Sequence, residues 1–319
     1  MSSRIAIKPT TWGDLIENLR GTVTLALFVL NTLLVFIPFV PVALLKIAAP
    51  TKGLRRHLTF ALLAHVDWWT HGLRFISNHL TGCTLEVRGL DNVSLTGRYL
   101  VLCNHQCWWD IPVLTQAFQG RIQFPRFFIK YELLWLPVVG FACWAMDFPF
   151  MRRYSRERLQ KRPQLKGADI EATRRACAKY VHMPVTVVNF VEATRGTPDK
   201  RSATRSPYRH LLRPKSGGIA LSLEALGDIL DGVLDVTILY PGVDAASFWD
   251  YCCGRIPHIV VHARRLAVPT ELMKGNYADD ANYRRDFQHW LNQTWREKDL
   301  EMDRLLAEYG TFGHASKSD

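Results

Sequence analysis

Tyr99-Leu-Val-Leu-Cys-Asn-His-Gln-Cys-Trp-Trp-Asp110, running on into Ile111 to Phe118, is the stretch that decides the fold. It opens as a short apolar run of the buried-strand kind, Tyr99 to Leu102, and passes through a polar turn. It continues as an apolar helix from Ile111 to Phe118, with Asp110 well placed to cap it. The same alternation recurs on both sides. Cys83 to Arg88, Val185 to Phe190, Val236 to Tyr240 and His258 to Ala263 have strand patterns, while 169–182 and Ile219 to Leu226 have helical ones. Strands alternating with helices specify an α/β class, a largely parallel sheet flanked by helices. Asp280 to Glu308, with Phe287, Trp290, Leu291, Trp295, Leu300, Leu305 and Leu306, is one long amphipathic helix or two.

Upstream the character changes. Between Arg20 and Lys46 lie 25 uncharged residues, 21–45, long enough as one helix to span about 37 Å against a hydrocarbon core of about 30 Å. The run is too long and too late for a signal-peptide core, and no small-residue cleavage site follows it. It predicts membrane contact. Pro38 and Pro41 interrupt it, and basic residues flank it on both sides: Arg4, Lys8 and Arg20 before, Lys46, Lys52, Arg55 and Arg56 after. Prolines and symmetric flanks favour a hairpin dipping into one leaflet over a kinked single span. Residues 54–80 form a further helix, in which Trp68 and Trp69 are either interfacial anchors or core. The expected organisation is a membrane-associated helical region over 1–80 and an α/β domain over 81–319 closed by the amphipathic tail.

The 319 residues carry 40 Lys+Arg against 29 Asp+Glu, a net charge of +11, which implies an anionic partner. Two segments, 152–166 and 195–215, hold 14 of the 40 basic residues, so the charge is local rather than diffuse. Composition excludes disordered, collagen-like and linker-dominated chains, and no 20–50-residue repeat is present. The seven cysteines show no CxxC spacing, and Cys252 and Cys253 are adjacent, so a reduced, cytosol-facing domain is the simpler expectation.

His105 and Asp110 are five residues apart, too far round a regular helix to pair, but a strand-to-helix turn brings them together. A carboxylate on one imidazole nitrogen fixes the tautomer and leaves the other nitrogen to accept a proton. No G-x-S-x-G elbow exists, so the nucleophile would be a substrate hydroxyl. Zinc on Cys103, His105 and Cys107 is disfavoured, because three ligands crowd into five residues without a second pair. Further on come Lys130 to Gly140, then Phe148-Pro-Phe-Met-Arg-Arg153, and the strand-end segment Glu192-Ala-Thr-Arg195-Gly196. An arginine at the carboxyl edge of a sheet suits a phosphate monoester, and a Glu192–Arg195 ion pair is the structural alternative.

In this order, Asn104-His105-x4-Asp110, Lys130 to Gly140, Phe-x-x-Arg153, Glu192-x-Thr194-Arg195 and Pro214-Lys215-x-Gly217-Gly218 resemble the glycerolipid acyltransferases. The likeness is to the 1-acylglycerol-3-phosphate and lysocardiolipin-type lysophospholipid acyltransferases, and it covers about residues 85 to 245. Trp290-Leu-x3-Trp295-x2-Lys298-Asp299 is similar to the ending of the membrane-bound bacterial members. The resemblance implies that His105 takes the proton from a glycerol hydroxyl and that Asp110 orients it. It implies a substrate-binding set of Lys130, Arg153, Glu192, Thr194 and Arg195 around the acceptor, with Arg152 as the alternative to Arg153. The family's Glu-Gly-Thr-Arg reads Glu-Ala-Thr-Arg here, a departure that bears on acceptor identity more than on the reaction.

The implied reaction uses no cofactor and no metal, with acyl-CoA or an acyl carrier protein thioester as co-substrate. The implied partners are a lysophospholipid acceptor, that donor and anionic membrane lipids. Nucleic acid is set aside, since no RNP, helix-turn-helix or zinc pattern accompanies the basic blocks. The expected location is a bacterial inner membrane with the catalytic domain on the cytoplasmic face. A thioester hydrolase and a non-enzymatic membrane scaffold are the rival readings.

Overall fold

The computed structural model describes residues 12–151, 180, 183–273, 275–277 and 279–315. The first basic block, with Arg152 and Arg153, and most of the helix expected over 169–182 lie outside the described residues. The chain begins with two long helices, α1 (Trp12–Ala48) and α2 (Lys52–Leu80). The α/β part follows as β1 (Thr84–Arg88), β2 (Arg98–Cys103), α3 (Asp110–Phe118), β3 (Pro125–Phe127), β4 (Ile129–Lys130), α4 (Val139–Ala145) and β5 (Phe150–Met151). Then come β6 (Val185–Phe190), α5 (Pro198–Thr204), α6 (Ser216–Leu226), β7 (Gly232–Leu239), α7 (Phe248–Cys252), β8 (His258–Leu266), α8 (Thr270–Met273) and α9 (Ala281–Ala315).

Six strands form one mixed sheet in the order β1-β8-β7-β2-β6-β3. β2 lies at its centre, parallel to β6 on one side and β7 on the other, and β3 extends the parallel run beyond β6. Among the described strands only the β7–β8 pairing is antiparallel; β1 runs parallel to β8. β4 and β5 make a separate two-stranded parallel sheet.

Strand residues alternate between two apolar layers, as a two-residue side-chain period requires. Val101, Val188, Val236 and Ile238 point into the layer shared with Phe28 and Phe39 of α1, Leu62 and Leu73 of α2, and Val113 and Leu114 of α3. Leu100, Leu102, Val185 and Val187 point to the other side, against Ile219 and Leu223 of α6 and Phe287, Leu291 and Trp295 of α9. The tail is therefore one helix rather than two, pinned by its buried aromatic stripe.

The apolar run 21–45 does not fold back on itself. It is one continuous helix through Pro38 and Pro41, and the return limb is α2. Each proline removes a backbone hydrogen bond, but packing holds the helix through them. Phe39 and Ala43 are 3% and 1% exposed, and Phe39 meets His65 of α2 edge-on with centroids 6.3 Å apart. The reversal falls at 49–51, where Thr51 caps α2 by accepting from Leu54 N at 3.2 Å. Asn31 donates to Trp69 O (3.0 Å) and Trp69 Nε1 to Thr32 Oγ1 (3.0 Å) across the helix pair. Gly72 permits this approach, since a Cβ there would lie 2.0 Å from Asn31 Oδ1. Trp69 thus belongs to the helix interface, while Trp68 is 61% exposed.

α1 is attached along its whole length. Arg255 Nε binds Glu17 (2.7 Å), Phe28 stacks on Trp109 (4.8 Å), and Phe36 meets Phe141 of α4 edge-on (6.0 Å). Lys46 donates to Ala145 O (2.6 Å) and Asp147 (2.5 Å). Its opposite face presents Val23, Leu30, Leu33, Leu34, Ile37 and Leu44 to the outside. Among the described residues, α1 is the one helix long and apolar enough to cross a membrane.

Candidate active site

β2 ends at Cys103, and Asn104 is then locked to the neighbouring strand. Its amide donates to Ile238 O and accepts from Ile238 N, both at 2.9 Å. This fully buried bracket fixes where the turn begins and delivers His105 to the carboxyl edge of the sheet. The His105 ring lies flat on Phe190, at the end of β6, with centroids 4.1 Å apart.

Asp110 is the first residue of α3, yet it does not cap that helix. Its side chain turns back into the preceding loop, where Oδ2 accepts from Gln106 N (2.5 Å), Cys107 N (3.0 Å) and His105 Nδ1 (2.7 Å). Oδ1 accepts from the Tyr240 hydroxyl at 2.5 Å and faces the Cys107 thiol at 3.7 Å. A carboxylate surrounded by N–H donors has only acceptor sites to offer, so the His105 Nδ1 must carry its proton. Nε2 is then the ring's proton-accepting atom. Burial, reinforced by the neighbouring Asp110, holds the Tyr240 hydroxyl well above the ordinary phenol range, so it stays a donor. The Cys107 thiol, pushed up to about 12 chiefly by burial, is not a nucleophile. Among the described residues, no group of three or more His, Cys, Asp and Glu is arranged to hold a metal ion.

The second loop is tied to the first. After β6, Val191 N donates to Cys103 O (3.1 Å) and Gly196 N to His105 O (2.7 Å), so Glu192 to Gly196 sits directly beside the histidine turn. Thr194 is exposed and accepts from Lys200 Nζ at 2.7 Å. Arg195 does not pair with Glu192. Its guanidinium lies over the exposed Trp108 ring, 5.0 Å from the centroid, a cation–π contact that holds the fork at the site mouth.

Glu192 instead turns inward. It is 2% exposed, its Oε2 has no hydrogen-bond partner, and burial pushes its carboxyl up to about 8, with Lys298 and the Leu212 N–H pulling it back down. Gly196 lies close against it: a Cβ there would lie 2.7 Å from Glu192 Oε2. Ala193 occupies the position of the family's glycine with φ at +58°, a left-handed conformation that glycine adopts without cost. The glycine of that motif thus answers a backbone demand, which Ala193 meets under strain.

α9 braces this edge from behind. Trp295 Nε1 donates to Leu212 O (3.1 Å), and Asp299 accepts from the backbone N–H groups of Arg209 and His210, both at 2.8 Å. Lys298, fully buried, binds Asp235 Oδ1 (2.7 Å) and Val236 O (2.6 Å). Lys130 stands apart, exposed at the end of β4 in the small sheet.

His105, Asp110, Thr194, Arg195 and Glu192 are therefore brought to one sheet edge, four of them around the opening and Glu192 beneath it. Sequence reasoning missed Tyr240, Phe190 and the Gln106 and Cys107 amides. The one available signal was Tyr240 itself, closing an expected strand at the same carboxyl edge.

Tyr240→Phe is expected to lower kcat about tenfold with KM unchanged, the loss of one hydrogen bond to a charged group. A fall in stability as large as the loss in kcat, with KM raised, would reduce Tyr240 to a packing role.

A histidine held by a buried carboxylate, on a mixed α/β sheet beside a cationic loop, has the arrangement needed to move a proton at this edge. The family model described as Acyltransferase matches residues 84–240, which span β1 to Tyr240 and contain both loops. Over those residues, just under half of its length, the chain is similar to the acyltransferases. It is 25% identical over 261 residues to the 2-acyl-1-lysophosphatidylinositol acyltransferase of Saccharomyces cerevisiae, covering 68% of this chain and 64% of that protein. It is 25% identical over 313 residues to a probable 1-acyl-sn-glycerol-3-phosphate acyltransferase 5 of Arabidopsis thaliana, covering 94% and 76%. With the 1-acyl-sn-glycerol-3-phosphate acyltransferase epsilon of Mus musculus it shares 24% over 236 residues, 57% of that protein's length. The fold matches the crystal structure of the 1-acyl-sn-glycerophosphate acyltransferase PlsC from Thermotoga maritima, with a TM-score of 0.52, 15% identity, and coverage of 91% and 95% of the two chains.

Proposed function

We propose that the protein transfers an acyl group from a thioester donor, acyl-CoA or acyl carrier protein, to the free hydroxyl of 1-acylglycerol-3-phosphate. The observation that carries this reading is the His105–Asp110 pair at 2.7 Å, with Asp110 saturated by donors and Nδ1 committed to it, which leaves Nε2 as the proton-accepting atom. Nε2 removes the hydroxyl proton as the oxygen attacks the thioester carbonyl. The tetrahedral intermediate collapses, the C–S bond breaks, and the departing thiolate takes the proton back from His105. Arg195 meets the acceptor phosphate with its planar fork and Thr194 lies alongside, while Lys130, set apart at the end of β4, and Arg153 are assigned to the anionic subsite on the motif resemblance alone. Glu192 positions the loop from beneath.

The reaction needs no metal or cofactor in this scheme. The location proposed is the cytoplasmic face of a bacterial inner membrane. Its support is the outward apolar face of α1 and the unpaired cysteines, six of them among the described residues. Because α1 is bound at Glu17, Phe28, Phe36 and Lys46, it lies in the plane of one leaflet instead of projecting across it.

The yeast relative, named for lysophosphatidylinositol, favours a second reading in which the acceptor is another lysophospholipid such as lysocardiolipin or lysophosphatidylglycerol. Product lipids should be measured by mass spectrometry across these acceptors with both donors. Lysophosphatidate is expected to give the highest kcat/KM. Free fatty acid released at the same rate without any acceptor would identify a hydrolase and overturn the proposal, and no turnover of either kind would leave a scaffold.

A further inference from the structure

Between Glu132 and Asp147 the chain runs LLWLPVVGFACWAM, fourteen residues without a charge, in the middle of a basic protein. A buried segment of this kind would need no comment, but this one is not buried. After a short 3-10 turn over Tyr131–Trp135, it presents Trp135 (76% exposed), Leu136 (47%), Val139 (48%) and Trp144 (45%) to the outside. Clustered apolar side chains exposed on so short a segment mark an interaction surface.

Its position says which surface. The segment is docked on α1 by its inner side: Phe141 packs against Phe36, and the segment's end is held where Lys46 binds Ala145 O and Asp147. The apolar outer faces of the two elements are thus neighbours. The segment also leaves the small sheet at Lys130 and returns to it at β5, so its first end carries the exposed Lys130. Tryptophans at an edge with a basic residue behind them suit the boundary between acyl chains and headgroups.

We propose that residues 131–145 form a membrane-inserting lip, separate from the α1–α2 pair, whose occupant is the acyl layer of the same phospholipid leaflet. Its apolar tip enters the acyl chains beside α1, while Lys130 stays at headgroup depth. A lysophospholipid moving laterally would then meet the cationic subsite without leaving the bilayer. The lip rests on the in-plane placement of α1, and its test involves no substrate, so it stands or falls apart from the acyl-transfer reading.

The full chain is reconstituted into phosphatidylethanolamine–phosphatidylglycerol vesicles, with a bimane label placed by Leu136→Cys on the lip. Ile37→Cys on the outer face of α1 and Leu300→Cys on α9 serve as references, both positions being exposed (69% and 55%). Wild-type protein sets the labelling background from the half-buried Cys83 and Cys143. Labels at 37 and 136 should both be quenched several-fold more by acyl-chain nitroxide lipid than the label at 300, and several-fold less by aqueous iodide. A label at 136 that responds to iodide like the one at 300, while 37 responds to nitroxide, overturns the lip. Shielding of 136 from both quenchers overturns it too, in favour of a second copy of the chain covering that face. If neither 37 nor 136 responds to nitroxide, the in-plane placement of α1 fails and the lip with it.

Discussion

Alanine at position 105 is expected to reduce kcat by about 10³–10⁴-fold while leaving the folded protein intact, as loss of a positioned general base does. The effect is this large because, among the described residues beside His105, the other side chains are not free to take that proton. Cys107 is a buried thiol pushed up to about 12, and the Tyr240 hydroxyl is already committed to Asp110. Arg195, held over Trp108, has no acceptor to offer.

Asp110→Asn separates the two duties of the carboxylate. Three N–H donors converge on Oδ2, from His105, Gln106 and Cys107, so the asparagine amide must place its oxygen there and its NH2 toward Tyr240, whose hydroxyl can rotate and accept. The Nδ1–H tautomer survives. What is lost is the negative charge beside the imidazolium that forms during attack, worth about 1.5–3 kcal/mol for a charge-assisted bond. A fall in kcat of about 10- to 10²-fold, with KM little changed, is the expected result. In the His105→Ala background the same asparagine should add almost nothing, because the two residues act as a unit. Steady-state kinetics on the two single variants and the double variant check this, and additive losses would sink the pairing.

The His105–Asp110 turn was legible because two local patterns agree. A buried-strand run meets a helix, and a histidine and an aspartate fall at the junction where only a turn can pair them. Asp110 fails as a helix cap for the same reason it matters: two backbone amides of the preceding loop out-compete the helix N-terminus for its oxygens. The small strands β3, β4 and β5 were not legible. They are two or three residues long, too short for a period to show, and β3 carries a fully buried arginine, Arg126. That side chain breaks the apolar pattern, yet it is placed by Nε donating to Met146 O (3.1 Å) and by lying over the Tyr180 ring.

Strand order was also invisible, and with it the reach of Tyr240 from the end of β7 to Asp110. A single chain records which residues form strands, but not that β7 lies next to β2. The fold-back expected within 21–45 failed on tertiary grounds. Pro38 and Pro41 do weaken the helix locally, but Phe39 and Ala43 are packed so closely that the helical path remains the better one.

Glu192 should make the protein less stable as pH rises through neutrality, and Glu192→Gln should abolish that trend. Its carboxyl ionises at about 8 when folded, against 4.5 for the exposed reference, because burial disfavours the charged form. Between these values the folded state binds a proton that the unfolded chain has already released, so stability falls with increasing pH across that window and levels off above it. Raising an ionisation point by one pH unit corresponds to about 1.4 kcal/mol, so the loss is on the order of a few kcal/mol by about pH 8.5. Glutamine keeps the shape and the contact with the Leu212 N–H but cannot ionise. The two proteins should have similar denaturation midpoints near pH 5, and the variant should be the more stable at about pH 8.5. The unpartnered Oε2 facing Gly196 makes the comparison a sharp one, since no donor meets that oxygen and the Leu212 N–H only partly offsets the burial. A wild-type midpoint that stays level across this range, or a glutamine variant that declines in parallel with it, would show that Glu192 is stabilised as an anion by a contact the buried geometry lacks.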